Sequence, residues 1–531
     1  MNIIKPIFLS AFVAITISSC KAPATIIATD PANIDKVPLK TTKILDKDLK
    51  RWSHLDLAKD TIPGMSTDLV YSNLLKGKKS NKIIVAVIDS GIDIEHEDLK
   101  NAIWVNKKEI AGNKKDDDNN GYVDDINGWN FLGDSDNEQL ELTRIVKKGK
   151  TNTEEYQQAK ALLDKKTAEL QPEKQQLDMI LGADKTVASY LKKTNYTVDE
   201  VKAIKTTDAG LGQAKMIMSQ VLASSTKAAF DAEMVEFKNY VYDQINYNLN
   251  VNFDGRKIVG DNPNDITQTK YGNGNVIGPN KDSAKHGTHV AGIIAQGRNN
   301  KLGGDGIASN NVEIMCIRAV PNGDEYDKDI ALGIRYAVDN GAKVINGSFG
   351  KSFSPNKQWV IDAIKYAESK DVLIVHAAGN DAKNIDEESN FPNDAEGFGA
   401  EYCDNFLTIG ALNFEFGANM IADFSNTGKS NVDVFAPGVK IYSTTPKNTY
   451  EYLQGTSMAS PNVVGVAALI RSYYPKLSAS QVKHIIMDSG TPIAKQLTLG
   501  RENKTQTTLS EICKTGKIIN AYNAMVLASK K

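Results

Sequence analysis

Asp89, His286 and Ser457 place a carboxylate, an imidazole and a hydroxyl in that order along the chain. They sit in the blocks Asp89-Ser-Gly-Ile-Asp93, His286-Gly-Thr-His-Val-Ala-Gly292 and Gly455-Thr-Ser-Met-Ala-Ser-Pro461. A serine hydroxyl is a weak nucleophile at neutral pH, so its attack needs a base, and histidine titrates close enough to neutrality to serve. A buried carboxylate then holds the imidazole in one tautomer and stabilises the imidazolium that forms. These three residue types suffice for acyl transfer through a serine nucleophile.

The elements that must position them are legible from hydrophobic pattern. Residues 82–88 form a continuous apolar run ending at Asp89, the signature of a strand buried on both faces of a parallel sheet. Similar runs recur at 312–320, 343–349, 372–378 and 406–412, and residues 328–340 and 356–370 between them carry helical periodicity. This alternation predicts an α/β fold, a doubly wound parallel sheet. Ligands of such sheets bind outside the carboxyl ends of the strands, where Asp89 and, just past another strand, Asn380 would lie. Helices are expected to start near His286 and Ser457, which sets Ser457 in the positive field of a helix N-terminus.

Two further blocks, Val344-Ile-Asn-Gly-Ser-Phe-Gly350 and Val375-His-Ala-Ala-Gly-Asn380, complete a set of five in register. With the order Asp, His, Ser, this set resembles the subtilases, the subtilisin-like serine proteases. The likeness covers roughly residues 51–531 apart from a long insertion, and it implies a serine endopeptidase acting on protein or peptide bonds. In that reading His286 is general base and then acid, and Asp89 orients it. Asn380 and the Ser457 backbone N–H stabilise the oxyanion. Ser348, Phe349 and Gly350 match the edge segment that pairs with substrate backbone as an added strand. There are two departures: Asn462 stands where many subtilases have histidine, and the span before Trp52 is short for a domain-sized propeptide. The rival reading is a catalytically silent subtilase-like scaffold that holds a partner.

Asp89 and His286 are 197 positions apart, so an insertion fills most of that interval, assigned to residues 139–250. Residues 153–247 are rich in Lys, Glu, Gln, Ala and Leu, with helical spacings such as Leu162, Leu163 and Leu170 or Val235, Tyr242 and Ile245. This is a helical subdomain, either a lid or partner arm beside the active site or a solvated decoration; the second is the simpler expectation.

The segment Asp116-Asp-Asp-Asn-Asn-Gly-Tyr-Val-Asp-Asp125 resembles a calcium loop. Asp116, Asp118, Asn120 and Asp124 stand at positions 1, 3, 5 and 9, and Gly121 at the sharp turn. Hard oxygen donors at alternate positions suit Ca²⁺ as a structural cofactor, although Asn127 replaces the bidentate glutamate of a complete EF-hand. A solvated acidic turn is the alternative.

With 63 basic and 65 acidic residues the formal charge is −2, which gives no electrostatic basis for binding nucleic acid. Residues 1–19 read as an export signal, with Lys5 before a short apolar run and Ile17-Ser-Ser-Cys20 resembling a bacterial lipobox. The expectation is a protein lipid-anchored through Cys20 to a cell envelope, on its periplasmic or surface face. Residues 20–50 would be a tether and 51–531 the peptidase domain. Ordinary signal cleavage is the alternative. Cys316 lies in an apolar run and reads as a core thiol, while Cys403 and Cys513 are either paired or free. His376 and His289 read as structural residues, and His96 has no evident chemical role.

Overall fold

The computed structural model describes residues 44–500 and 504–531, so the expected signal and Cys20 lie outside the described residues. The centre of the fold is a nine-stranded sheet. Its strands are β1 (Ile83–Asp89), β2 (Gly128–Asn130), β3 (Val312–Arg318), β4 (Val344–Gly347), β5 (Leu373–Ala377), β6 (Phe406–Leu412), β7 (Val434–Pro437), β10 (Thr491–Pro492) and β13 (Lys517–Ile518). A hairpin of β8 (Ile441–Thr445) and β9 (Thr449–Leu453) and a small pair, β11 (Leu497–Leu499) and β12 (Thr505–Thr507), lie outside it. The order is β10-β13-β7-β6-β5-β4-β1-β3-β2, parallel throughout except for β10 against β13.

Side chains alternate across β1. Val85 and Val87 enter the core on one face of the sheet, Ala86 and Ile88 the core on the other. Helices α6 (Lys285–Ala295) and α9 (Thr456–Tyr473) cover the first face with Val290, Ile294, Val464 and Ala467. Helices α7 (Asp327–Asp339) and α8 (Lys357–Ser369) cover the second with Ile330, Ile334, Val360 and Ile364. Both faces being covered explains why the strands read as unbroken apolar runs. The chain runs from β1 to β3 on one side and then crosses to β4 on the other. A crevice therefore opens at the carboxyl ends of β1 and β4, the place where such sheets bind ligands.

The insertion comprises α1 (Glu141–Lys148), α2 (Glu154–Leu191), α3 (Val198–Ala203), α4 (Ala209–Val221) and α5 (Lys227–Asp243). It has small apolar clusters of its own. Ile180, Val187, Tyr196, Met218 and Phe230 form one; Leu170, Leu177 and Val241 form another; Leu142, Ile145, Ala159 and Leu163 form a third. Helix α5 passes into a π-helical turn, Gln244–Asn248, which returns the chain to the sheet. Asn248 is buried there, its Nδ2 donating to the carbonyls of Glu138 (3.0 Å) and Asn322 (3.1 Å).

Two expectations are refined. The folded body begins before residue 51: Asp46–Leu49 is a helical turn, and Ile44 and Leu49 pack on the main core beside the buried Trp52. Two apolar residues in a polar stretch carry too little periodicity to reveal this. Cys403 and Cys513 are both buried free thiols, and Cys513 Sγ donates to the Asp433 carbonyl at 3.1 Å. Among the described residues no helix is long and apolar enough to cross a membrane.

Candidate active site

Asp89 ends β1 and is buried. Its Oδ1 accepts from the Ser90 N–H at 2.8 Å and faces His286 Nδ1 at 2.7 Å. His286 is the second residue of α6, and that approach depends on the next residue having no side chain. A Cβ on Gly287 would lie 2.2 Å from the Gly91 carbonyl oxygen and 3.1 Å from Asp89 Oδ1. At its far end α6 closes on the β8–β9 hairpin through Gly292, where a Cβ would lie 2.1 Å from Thr444 Oγ1. Burial alone would lower the His286 pKa, but the charge and hydrogen bond of Asp89 outweigh it, and the imidazole rises above its ordinary 6.5.

Ser457 is the second residue of α9. In this structure its Oγ donates to the Ser348 carbonyl at 3.3 Å, not to the imidazole, while Ser348 Oγ donates to the Ser457 carbonyl at 2.9 Å. Ser348 also lines the cleft that holds Asp89 and His286, so it joins the Ser457 helix to the carboxylate and imidazole. Asn346 Nδ2 fixes Ser348 Oγ at 2.9 Å, and Ser460 Oγ, one turn into α9, donates to Asn346 Oδ1 at 3.0 Å. Phe349 and Gly350 continue along the same cleft wall.

Asn380 follows β5, and its amide orientation is set by Thr456. Oδ1 accepts from the Thr456 N–H at 2.8 Å and from Thr456 Oγ1 at 3.1 Å, which leaves Nδ2 as the outward donor. Gly455 keeps the space before that donor open: its φ is +149°, and a Cβ there would stand 3.5 Å from Asn380 Nδ2. The structure thus brings Asn380 beside the start of the Ser457 helix. Thr456 is a positioning residue that the sequence concealed inside its Gly-Thr-Ser block.

His289, His96 and His376 have structural roles. His289 Nε2 meets the Glu451 carbonyl at 3.1 Å, and burial pushes its pKa down to about 3. His96 Nε2 meets the Thr449 carbonyl at 3.2 Å, and its Nδ1 accepts from the Asp98 N–H at 3.1 Å. His376 lies between the Phe349 and Phe406 rings, its pKa lowered to about 4 by burial. Neither of its ring nitrogens makes a hydrogen bond of ordinary geometry, so packing against the two rings holds it in the core. Asn462 Nδ2 donates to the carbonyls of Pro437 (3.0 Å) and Met458 (3.1 Å), a structural tie between α9 and the end of β7.

The acidic loop converges in part. Carboxylate oxygens of Asp116, Asp118 and Glu109 lie within 4.8 Å of one another, a hard-oxygen set that fits Ca²⁺. Asp124 is not in that set: its two oxygens accept the N–H groups of Gly112 and Lys114, each at 2.9 Å. Asn120 turns its Nδ2 to Asp125 at 3.0 Å and its Oδ1 to the Tyr122 N–H at 2.8 Å. Glu109, which loop spacing does not reach, stands inside the loop by accepting from the N–H groups of Asp117 (2.8 Å) and Asp118 (3.0 Å).

The cleft also contains residues that sequence reasoning left in a solvated decoration. Asn239, Asp243 and Tyr247, at the end of α5 and in the π turn, line it together with Ser348, Phe349 and Gly350 beyond the end of β4. Lys285, next to His286, lies 3.6 Å from Glu236 of the same helix.

The family model described as the subtilase family matches residues 80–513, and the chain belongs to that family. It is accordingly a serine endopeptidase, a hydrolase of peptide bonds. Among individual relatives, it is 38% identical over 224 residues to subtilisin DY of Bacillus licheniformis, covering 42% of this chain and 76% of that protein. It is 42% identical over 192 residues to a thermophilic serine proteinase of Bacillus sp. (strain AK1), covering 36% of this chain and 43% of that protein. A solved protease of Pseudoalteromonas arctica is 28% identical with a TM-score of 0.37, covering 46% of this chain and 70% of that one.

Proposed function

We propose that this protein cleaves protein or peptide substrates through an acyl-enzyme on Ser457. His286 takes the Ser457 proton as Oγ attacks the scissile carbonyl and returns it to the leaving amine; water then repeats the sequence to release the acyl product. Asp89 holds the ring with Nδ1 protonated and stabilises the imidazolium. Asn380 Nδ2 and the Ser457 N–H receive the developing oxyanion. The substrate backbone pairs along Ser348, Phe349 and Gly350.

The observation that carries this reading is the 2.7 Å contact between His286 Nδ1 and Asp89 Oδ1, in a cleft whose Ser348 wall is bonded to Ser457. For attack, the Ser457 hydroxyl must leave the Ser348 carbonyl, to which it donates at 3.3 Å, and turn toward His286 Nε2. A fluorophosphonate probe tests the assignment. Labelling is expected on Ser457 and absent in His286→Ala; a protein that stays unlabelled while hydrolysing peptides would refute it.

The acidic loop is proposed to hold Ca²⁺ through Asp116, Asp118 and Glu109, where the ion would neutralise converging carboxylates and tie the loop to the body. Asn120 and Asp124 support the loop by their hydrogen bonds. Cys20 is proposed as an acylated N-terminus that anchors the protein to the cell envelope, on the strength of Lys5, the apolar run and the Ser-Ser-Cys20 ending. An intact mass of the mature protein carrying acyl chains on Cys20 is expected; cleavage elsewhere without acylation would remove the anchor.

A further inference from the structure

The cleft beside His286 has a volume of about 750 Å³, and the charges along its walls do not cancel. Arg318 pairs with Asp136 at 2.6 Å. Lys285 is directed to Glu451 at 2.5 Å, and Asp282 pairs with Lys447 at 2.7 Å. Asp89 faces His286 at 2.7 Å. Two other carboxyl groups of the lining, Asp243 and Glu325, have no ion-pair partner among the described residues. Asp243, near the end of α5, has Oδ2 accepting only from the neutral Nδ2 of Asn322 at 2.8 Å. Glu325 is buried at 2% exposure, its Oε1 has no hydrogen-bond partner, and burial lifts its pKa to about 7 against the opposing charge of Lys351. Lys351 lies near it but donates to the Glu325 main-chain carbonyl at 2.7 Å, with Glu141 (3.0 Å) and Asp327 (2.8 Å) as its ion-pair partners.

The Asp243 carboxylate without a counter-cation, and beside it in the lining a buried carboxyl with an unsatisfied oxygen, favour a cationic guest in this cleft, because a charge-assisted hydrogen bond there replaces an incompletely satisfied group. The rest of the lining fits the stem of such a guest. Val320, Pro321, Phe349 and Leu453 offer apolar surface along which a lysine or arginine chain can lie with its head at the acidic end. The cleft also runs along Ser348, Phe349 and Gly350, the edge on which the acyl side of a substrate would pair. The guest is therefore part of the segment preceding the scissile bond.

We infer that this cleft selects a lysine or arginine side chain in the substrate segment before the cleaved bond, with Asp243 of the helical insertion receiving its cationic head and Glu325 offering its unsatisfied Oε1 as a second acceptor. The inference rests on the proteolytic reading and gives the insertion a role in specificity: α5 supplies a wall, and a charge, that the sheet does not.

The test is a positional library of fluorogenic peptides that differ only in arginine, lysine, norleucine or glutamate at each position before the bond. Rates are expressed per active site titrated with the fluorophosphonate. At one position arginine or lysine is expected to exceed norleucine by about 10- to 100-fold in kcat/KM, the range of a charge-assisted contact. Asp243→Asn should reduce that ratio about tenfold or more, Asp243→Lys should turn the preference toward glutamate, and Glu325→Gln should weaken it less. An enzyme that titrates normally but shows no cationic preference at any position, or whose preference survives Asp243→Asn, overturns the inference alone. A protein that does not titrate overturns the proteolytic reading as well.

Discussion

The carboxyl end of the sheet and the helical insertion meet at one cleft, yet they are built differently. At the sheet, each candidate side chain stands at an element end: Asp89 at the last position of β1, His286 and Ser457 at the second positions of their helices, with Gly287 closing against Gly91. In the insertion, five helices share three small apolar clusters and leave Met179, Tyr190, Met216, Val235 and Tyr240 exposed. It touches the cleft only through the end of α5 and the turn that follows. The proposed chemistry thus lies on the core around the sheet, while the proposed selectivity lies on a unit that packs mainly on its own apolar clusters.

The sharpest break of this comparison comes from the sheet side. Ser457→Ala is expected to lower turnover by about 10⁶-fold, the size known for loss of the serine in subtilisin itself, without changing the melting temperature; residual peptide hydrolysis above about one part in 10⁴ would contradict it. Asn380→Leu should reduce kcat by about 10²–10³-fold with KM little altered, again a magnitude taken from subtilisin. Steady-state kinetics on a short peptide would check this, and unaltered kcat would remove Asn380 from the oxyanion site.

On the insertion side, Leu177 is fully buried in its small cluster. Leu177→Ala should destabilise the insertion by about 3 kcal/mol. Hydrogen exchange should then quicken in α2, α4 and α5 while β1, β4 and β5 stay protected. Equal acceleration in both regions would show that they unfold as one unit.

A smaller effect concerns the acidic loop. Chelation should remove about 2.7 kcal/mol of stability when calcium had stood at a hundred times its Kd, and the Asp116→Asn, Asp118→Asn double variant should no longer respond. Thermal unfolding with and without chelator measures it, and a chelation-insensitive wild type would leave the loop a hydrogen-bonded turn.

The smallest effect is the position of the acid limb. The imidazole accepts the Ser457 proton only when neutral, and Asp89 raises its pKa, so kcat/KM should fall as pH drops through a midpoint above 6.5. In Asp89→Asn the remaining activity should show a lower midpoint; an unmoved limb would assign it to another group.

How much of this was legible follows from where the information lies. Asp89, His286, Asn380 and Ser457 sit in short contiguous blocks at strand ends and helix starts, and the strand runs at 312–320 and 406–412 map to β3 and β6 because both sheet faces are buried. Glu109 escaped notice because it joins the acidic loop by accepting backbone N–H groups, an approach that leaves no spacing signal. Asp243 and Tyr247 escaped for a related reason. Helical periodicity identifies the faces of α5, but not which face meets a cleft formed by residues far along the chain. Residues 44–50 read as tether because two packing side chains in a polar segment produce no pattern.

The central claim, that the carboxylate, the imidazole and the hydroxyl act as one relay on Ser457, is tested most directly by trapping the acyl-enzyme. Rapid mixing with an activated ester should give a burst of one leaving group per protein molecule. Quenched samples should carry the acyl group on the peptide containing Ser457, and His286→Ala should abolish both. A full burst with the acyl group elsewhere, or steady hydrolysis with no acylated Ser457 and no dependence on His286, would contradict the account.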